Sequence, residues 1–165
     1  MQHYIKATTL SIKYIPAEEK AWLAGFIDGE GFIGLTKQKT RESTKHAAGY
    51  HYHPYLIVTG TENHTIHNLN SITGCGHVIT QTQKGNQKTA YQWKLTKYND
   101  LLHILGQIQR HLRIKQKQCE LIIQFITTRQ QANIKTGRGS RGSTSFSENE
   151  EQIYQELRNL NKKGQ

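Results

Sequence analysis

Cysteine is nearly missing from this 165-residue chain: only Cys75 and Cys119 occur. Two thiols this far apart make neither a disulfide framework nor a zinc site, and they read as buried or semi-buried groups in a reducing compartment. Long apolar runs are missing too. No stretch approaches the length of a membrane span, and no N-terminal segment has the apolar core of a signal peptide, so an intracellular protein with no membrane partner is expected. Asn63-His64-Thr65 has the spacing of a glycosylation sequon, but nothing else points to secretion. Negative charge is the third scarcity. Between Gly31 and Gln118 the acids are Glu42, Glu62 and Asp100, against twelve lysines and arginines; the whole chain carries +10. So one-sided a surface suits a polyanion, and nucleic acid explains it better than a merely basic protein does.

Periodicity divides what remains. Pro16 followed by AEEKAWLAGFIDG reads as a helix, with proline in the first turn and Glu18 and Glu19 where the dipole favours acids. FIGLTKQKTR and YHYHPYLIVTG alternate as strands, joined by the polar loop RESTKHAAG. Glu62 to Ile72 is a helix stopped by Gly74-Cys75-Gly76. GHVITQTQK and KTAYQWKLT flank a Gly-Asn loop as a hairpin. Asn99 is placed to cap a helix through about Leu112. A further helix is expected from about Lys115 to Thr128, and a last polar one from Glu148 to Leu160. The order predicts an α+β domain with four strands in hairpin pairs, spanning residues 1–165. Residues 1–15 form an extension, 135–147 a flexible basic loop and 148–165 a C-terminal helix and tail. One strand face is apolar. The other carries His, Tyr, Thr, Gln and Lys, a set that fits base edges in a DNA groove.

The stretch LAGFIDGEG, residues 23–31, ends the first helix with three glycines and two acids. Ala21, Gly25 and Gly29 recur every fourth residue, with Ala24 and Asp28 beside them. Glycine in a helix costs about 1 kcal/mol against alanine, and close approach of a second helix is a physical reason to accept that. A symmetric helix pair between two subunits would supply it. Glu30 stands at the helix C-terminus, where the dipole disfavours an anion, just before a basic sheet. A carboxylate there repels a phosphate unless a cation lies between them, and Mg²⁺ is suited to that place. Two copies of Glu30 meeting on a two-fold axis, with divalent metal between two DNA strands, would make a site for phosphodiester hydrolysis.

LAGFIDGEG resembles the defining motif of the LAGLIDADG homing endonucleases, matching at Leu23, Ala24, Gly25, Ile27, Asp28 and Gly31. It occurs once, so the chain resembles the single-motif branch whose members act as homodimers, encoded in group I introns. VTGTENHTIHNLNSITGCGHV, the segment from Ala90 to Ile126, and RNLNKKG are similar to further parts of that family. The resemblance implies an αββαββα fold whose four-stranded antiparallel sheet saddles the major groove. It implies a site-specific double-strand endonuclease that cuts a long, pseudo-palindromic target to staggered ends. Mg²⁺ is the implied cofactor, with Mn²⁺ as substitute and Ca²⁺ binding without cleavage. Glu30 takes the place of the metal-binding acid, and the Gly29 carbonyl that of a neighbouring ligand. Asp28 corresponds to a structural acid and Lys115 to a basic residue near the scissile phosphate. Gly60 departs from relatives that place Gln or Asn there to order water. Ala21, Ala24, Gly25 and Asp28 are the implied dimer contacts.

The polar strand faces then nominate base readers: Gly34, Thr36, Gln38 and Thr40; His51, His53, Tyr55 and Ile57; Ile79, Gln81 and Gln83; Gln92 and Lys94. Arg138 and Arg141 are nominated for phosphates. An organelle, chloroplast or mitochondrion, is the expected setting. GRGSRG, residues 137–142, matches a dinucleotide-loop pattern but lacks the strand and helix that pattern needs. The paired histidines His51, His53 and His64, His67 lack an acid or cysteine to complete a metal site. Two rival classes share the scaffold: a maturase that binds intron RNA, and a DNA-binding regulator that does not cut.

Overall fold

The computed structural model describes residues 13–39, 50–82, 88–136 and 148–162. Helix α1, Ala17–Glu30, begins as expected at Pro16, whose carbonyl receives the Lys20 N–H at 2.9 Å. It runs without a loop into β1, Gly31–Lys39, which pairs with β2, Tyr50–Gly60. Helix α2, Asn63–Thr73, leads to β3, His77–Gln81, and β4 is Ala90–Leu95. The remaining helices are α3, Tyr98–Ile108, α4, Gln116–Thr136, and α5, Glu148–Leu160. The four strands form one antiparallel sheet in the order β1-β2-β4-β3, so the chain crosses over through α2 and β4 lies between β2 and β3.

Period-two alternation gives the sheet two unlike faces. Ile33, Leu35, Tyr52, Leu56, Val58, Trp93 and Leu95 point inward and join one core with residues from all five helices. The helices therefore cover one face and leave the other open. On α1 the inward residues are Leu23, Ala24, Ile27 and Asp28; on α3 they are Leu101, Ile104, Leu105 and Ile108. Cys119 is fully buried in this core and its thiol is pushed up to about 12 by burial, with Glu120 adding to the shift. Burial also raises the Cys75 thiol, so neither cysteine is poised as a nucleophile.

Several boundaries differ from the sequence expectation. Asn99 does not cap α3. Lys97 occupies that position, its carbonyl accepting the Leu101 N–H at 2.9 Å, and Asn99 accepts a hydrogen bond from Gln130 on α4 at 3.4 Å. Helix α3 ends at Ile108, followed by a single 3-10 turn, Gln109–His111. Helix α4 continues to Thr136 rather than stopping near Thr128, and so takes 135–136 from the expected loop. The expected N-terminal extension is not all peripheral: Ile15 is fully buried, and its N–H donates to the Gln107 side chain at 3.2 Å.

The last helix is polar in sequence yet firmly docked. Glu150 is 2% exposed and pairs with Arg129 of α4 at 3.3 Å. Glu151 binds Lys37 of β1 at 2.7 Å and accepts from the Tyr52 hydroxyl. The Lys37 ammonium, with help from Gln155, holds that carboxyl below the usual carboxylate range. The Asn161 amide donates to the Ile33 carbonyl at 2.9 Å, closing the outer edge of β1.

The turn from α2 to β3 is set by two glycines with positive φ, Gly74 at 69° and Gly76 at 85°. Gly74 is the left-handed C-cap that the Gly-Cys-Gly signal predicts. At Gly76 the constraint is double. A Cβ there would lie 2.5 Å from the Trp93 indole nitrogen, which donates to the Cys75 carbonyl at 3.1 Å. Gly76→Ala is therefore expected to destabilise the fold by about 2–4 kcal/mol, through positive φ and displacement of the buried indole. A urea midpoint unchanged from wild type would refute this account of the turn.

Candidate active site and nucleic-acid interface

The site begins where α1 stops. The Gly31 N–H bonds back to the Ile27 carbonyl, and a Cβ on Gly31 would lie 2.6 Å from that oxygen. Only glycine lets the chain turn this sharply from helix into strand. Glu30 is thereby left exposed at the corner between helix and sheet. The last carbonyls of a helix have no helical N–H to accept, so the Gly29 carbonyl lies beyond the ladder.

Asp28 anchors this corner. Its carboxylate accepts the N–H groups of Arg113 at 2.6 Å, Ile114 at 3.2 Å and Lys115 at 2.9 Å. It thus caps the approach to α4 across a sequence separation of 85 residues. Burial pushes the carboxyl upward, but these three N–H groups and the Lys115 charge outweigh it and leave the pKa below the ordinary 3.8. Lys115 is held in return, because its ammonium donates to the Asp28 carbonyl oxygen. A cation at the end of α1 is favoured by the helix dipole. Glu30 and Lys115, nominated from distant parts of the sequence, are in this way brought to the same helix end.

The outer side of α1 is open. Ala21, Gly25 and Gly29 are exposed, and a Cβ added at Gly25 or Gly29 would meet nothing within 4 Å. Trp22, 40% exposed, stacks on Phe26 beside this stripe, ring centroids 5.2 Å apart. Two nominated contacts are corrected: Ala24 is fully buried and Asp28 is 8% exposed, both turned into their own domain. They sit one position from the stripe, about 100° around the helix, which rotates them onto the core side.

Strand register assembles the open sheet face. Gln38 stands opposite His51, Thr36 opposite His53, Gly34 opposite Tyr55 and Phe32 opposite Ile57. Ile57 pairs onward with Lys94, and Lys94 with His77; Thr59 pairs with Gln92, and Gln92 with Ile79; Gln81 pairs with Ala90. All the nominated strand residues that are described share this one surface. Thr40, Gln83, Arg138 and Arg141 lie outside the described residues. Phe32, Thr59 and His77 also belong to the face and were missed, although extending the same alternation by one step finds each of them. Thr59 is already engaged, receiving the Gln92 amide at 3.3 Å. The Tyr55 hydroxyl is kept protonated by burial and by Tyr154 nearby. Gly60 lies on the other face: a Cβ there would point at Ile66, 3.3 Å away, so the departure at Gly60 opens no gap in the open surface. Beyond the edge of β1, a cavity of about 290 Å³ separates Phe32 and Tyr55 from Tyr154, Arg158 and Lys162 of the α5 region.

The donor set fits a hard cation only in part. Glu30 and the Gly29 carbonyl are oxygen ligands of the kind Mg²⁺ takes. Among the described residues no cluster of three or more His, Cys, Asp or Glu could hold a metal within one protomer. Glu30 and the Gly29 carbonyl are two oxygen donors, fewer than the six that Mg²⁺ takes.

A family model for the LAGLIDADG endonucleases matches residues 23–128. The chain belongs to that family. The chain carries the motif that names the family once in its 165 residues. Among solved structures it is similar to the homing endonuclease I-CvuI, in complex with a DNA target and Mg, at 22% identity and TM-score 0.58, covering 85% of this chain and 94% of that one. It is also similar to the archaeal intron-encoded endonuclease I-Vdi141I complexed with DNA, at 14% identity and TM-score 0.67, covering 90% and 87%. A third likeness is the homing endonuclease I-TnaI, at 18% identity and TM-score 0.56, covering 84% and 97%. At these identities the likeness is one of fold, and the αββαββα order with its four-stranded antiparallel sheet matches. No curated protein sequence matches the chain.

Asp28→Asn should cost about 2–3 kcal/mol at neutral pH, because all three amides lose a charged acceptor in a buried setting and the new NH2 group can accept from none of them. The wild-type carboxylate has a depressed pKa, so its stabilisation is present above 3.8 and is lost as pH falls through the lower folded value. The gap in urea midpoint between wild type and variant should therefore narrow in acid. A gap independent of pH would contradict the charged cap.

Proposed function

We propose that this protein is a homodimeric, Mg²⁺-dependent, site-specific double-strand DNA endonuclease. The observation that carries the reading is the position of Glu30. It is an exposed carboxylate at the corner between a helix face stripped of side chains and the open, polar sheet face. Two copies of α1 packed along Ala21, Gly25 and Gly29 would bring both Glu30 carboxylates to one axis. The two sheets would then extend as a continuous saddle, one half-site per protomer, with side chains facing base edges in the major groove. Glu30 and the Gly29 carbonyl are the groups that would hold the metal. When bound, Mg²⁺ supplies a positive charge between carboxylate and phosphate and a water of lowered pKa. Lys115, tethered to the end of α1, places a further cation where charge develops on the phosphate. Mn²⁺ is the expected substitute, and Ca²⁺ is expected to support binding without cutting.

The test is selection from a large pool of duplex DNA, with Mg²⁺ in one arm and Ca²⁺ in the other. Staggered cuts at one long, roughly two-fold symmetric site with Mg²⁺ alone are expected. Enrichment without cutting in either arm would favour a regulator, and the absence of enrichment would turn attention to intron RNA. Gly25→Leu probes the helix pair separately. A Cβ at this position meets nothing within 4 Å among the described residues, so the variant should fold but sediment as a monomer and lose cleavage. A stable, active dimer would refute the packing.

A further inference from the structure

The endonuclease reading leaves one feature of the open face unexplained. Phe32 and Ile79 are 41% and 40% exposed on a face whose other side chains, apart from the half-buried Ile57, are mostly polar. Phe32 and Ile57 stand side by side in register, and a contiguous apolar patch on a polar face points to a ligand. Phe32 is also not a loose ring. It stacks on Tyr55 with centroids 5.7 Å apart and planes 8° from parallel. Both rings lie across Gly34, where a Cβ would approach Phe32 Cε1 to 2.8 Å and the Tyr55 hydroxyl to 3.3 Å. Any larger residue at 34 would lift the pair, so glycine is what allows the rings to be set in place before DNA arrives.

The setting is graded along the strand. Phe32 lies two residues past Glu30 and faces Ile57 in register. The next row is Gly34 with Tyr55, and the rows beyond it, Thr36 with His53 and Gln38 with His51, are polar. A polar base edge pressed against Phe32 and Ile57 would lose its water and gain no partner from either, Lys94 and His77 lying on the far side of Ile57 in that row. The major groove offers one apolar group, the 5-methyl of thymine. We propose that Phe32, preset by Tyr55 over Gly34 and flanked by Ile57, selects thymine at the base pairs nearest the cleaved phosphates. This inference rests on the endonuclease reading.

The test uses the full-length protein and its selected target. Each thymine is replaced in turn by deoxyuridine, which keeps every hydrogen-bonding group and removes only the methyl. Binding with Ca²⁺ present should weaken about three- to tenfold per methyl at thymines next to the cuts, and not at outer positions. Phe32→Ser should abolish that penalty while leaving outer base preferences intact. The residue is exposed, so an unchanged urea midpoint would show that the variant folds. Deoxyuridine bound as tightly as thymine, or a selected site with no thymine beside the cuts, would overturn the inference and leave the endonuclease standing. Failure to enrich any duplex would overturn both.

Discussion

One carboxylate organises this molecule. Asp28, near the end of α1, takes the N–H groups of Arg113, Ile114 and Lys115 and so ties the first helix to the start of α4. A buried anion without partners would be costly, and three amides with a nearby ammonium turn that cost into a directional joint. Everything the site needs follows from the joint. The end of α1 is held, so Glu30 projects from a fixed corner. The Lys115 backbone is held by the same oxygens, and its ammonium is drawn to the carbonyl above them. The open side of α1 is left facing outward because its other side is committed to the core.

The sheet depends on the same economy of faces. Its inner surface is buried beneath all five helices, and its outer surface carries groups suited to reading a groove. Helix α5 and the residue after it cover the edge strand β1: Glu151 pairs with Lys37 of β1 and accepts from the Tyr52 hydroxyl of β2, and Asn161 donates to the Ile33 carbonyl. That edge of the sheet is thus kept from pairing with other copies.

Much of this was legible in the residue order, and the failures have local causes. Alternation placed Thr36, Gln38, His51, His53, Tyr55, Ile57, Gln92 and Lys94 on one face, because a strand's period of two leaves little freedom. LAGFIDGEG announced both the helix and its abrupt end. The small-residue stripe, by contrast, was read too broadly. Ala24 and Asp28 are small or polar, but helical rotation turns them inward, and Asp28 is buried because its partners lie 85 residues away. No local pattern reveals such a partner. Asn99 has the chemistry of a cap, yet the helix starts earlier at Lys97, where tertiary packing overrides propensity. The docking of α5 was hidden for the same reason: its acids look solvated until Arg129 and Lys37 are brought against them.

On the proposed function, Glu30 performs chemistry rather than holding the fold. The most direct measurement compares wild type with Glu30→Gln on the selected target, following DNA binding and strand cleavage separately in Mg²⁺. Glu30 is exposed and amide is isosteric with carboxylate, so binding should persist while cutting of both strands is lost. Cleavage at the wild-type rate by Glu30→Gln would contradict the account at its root.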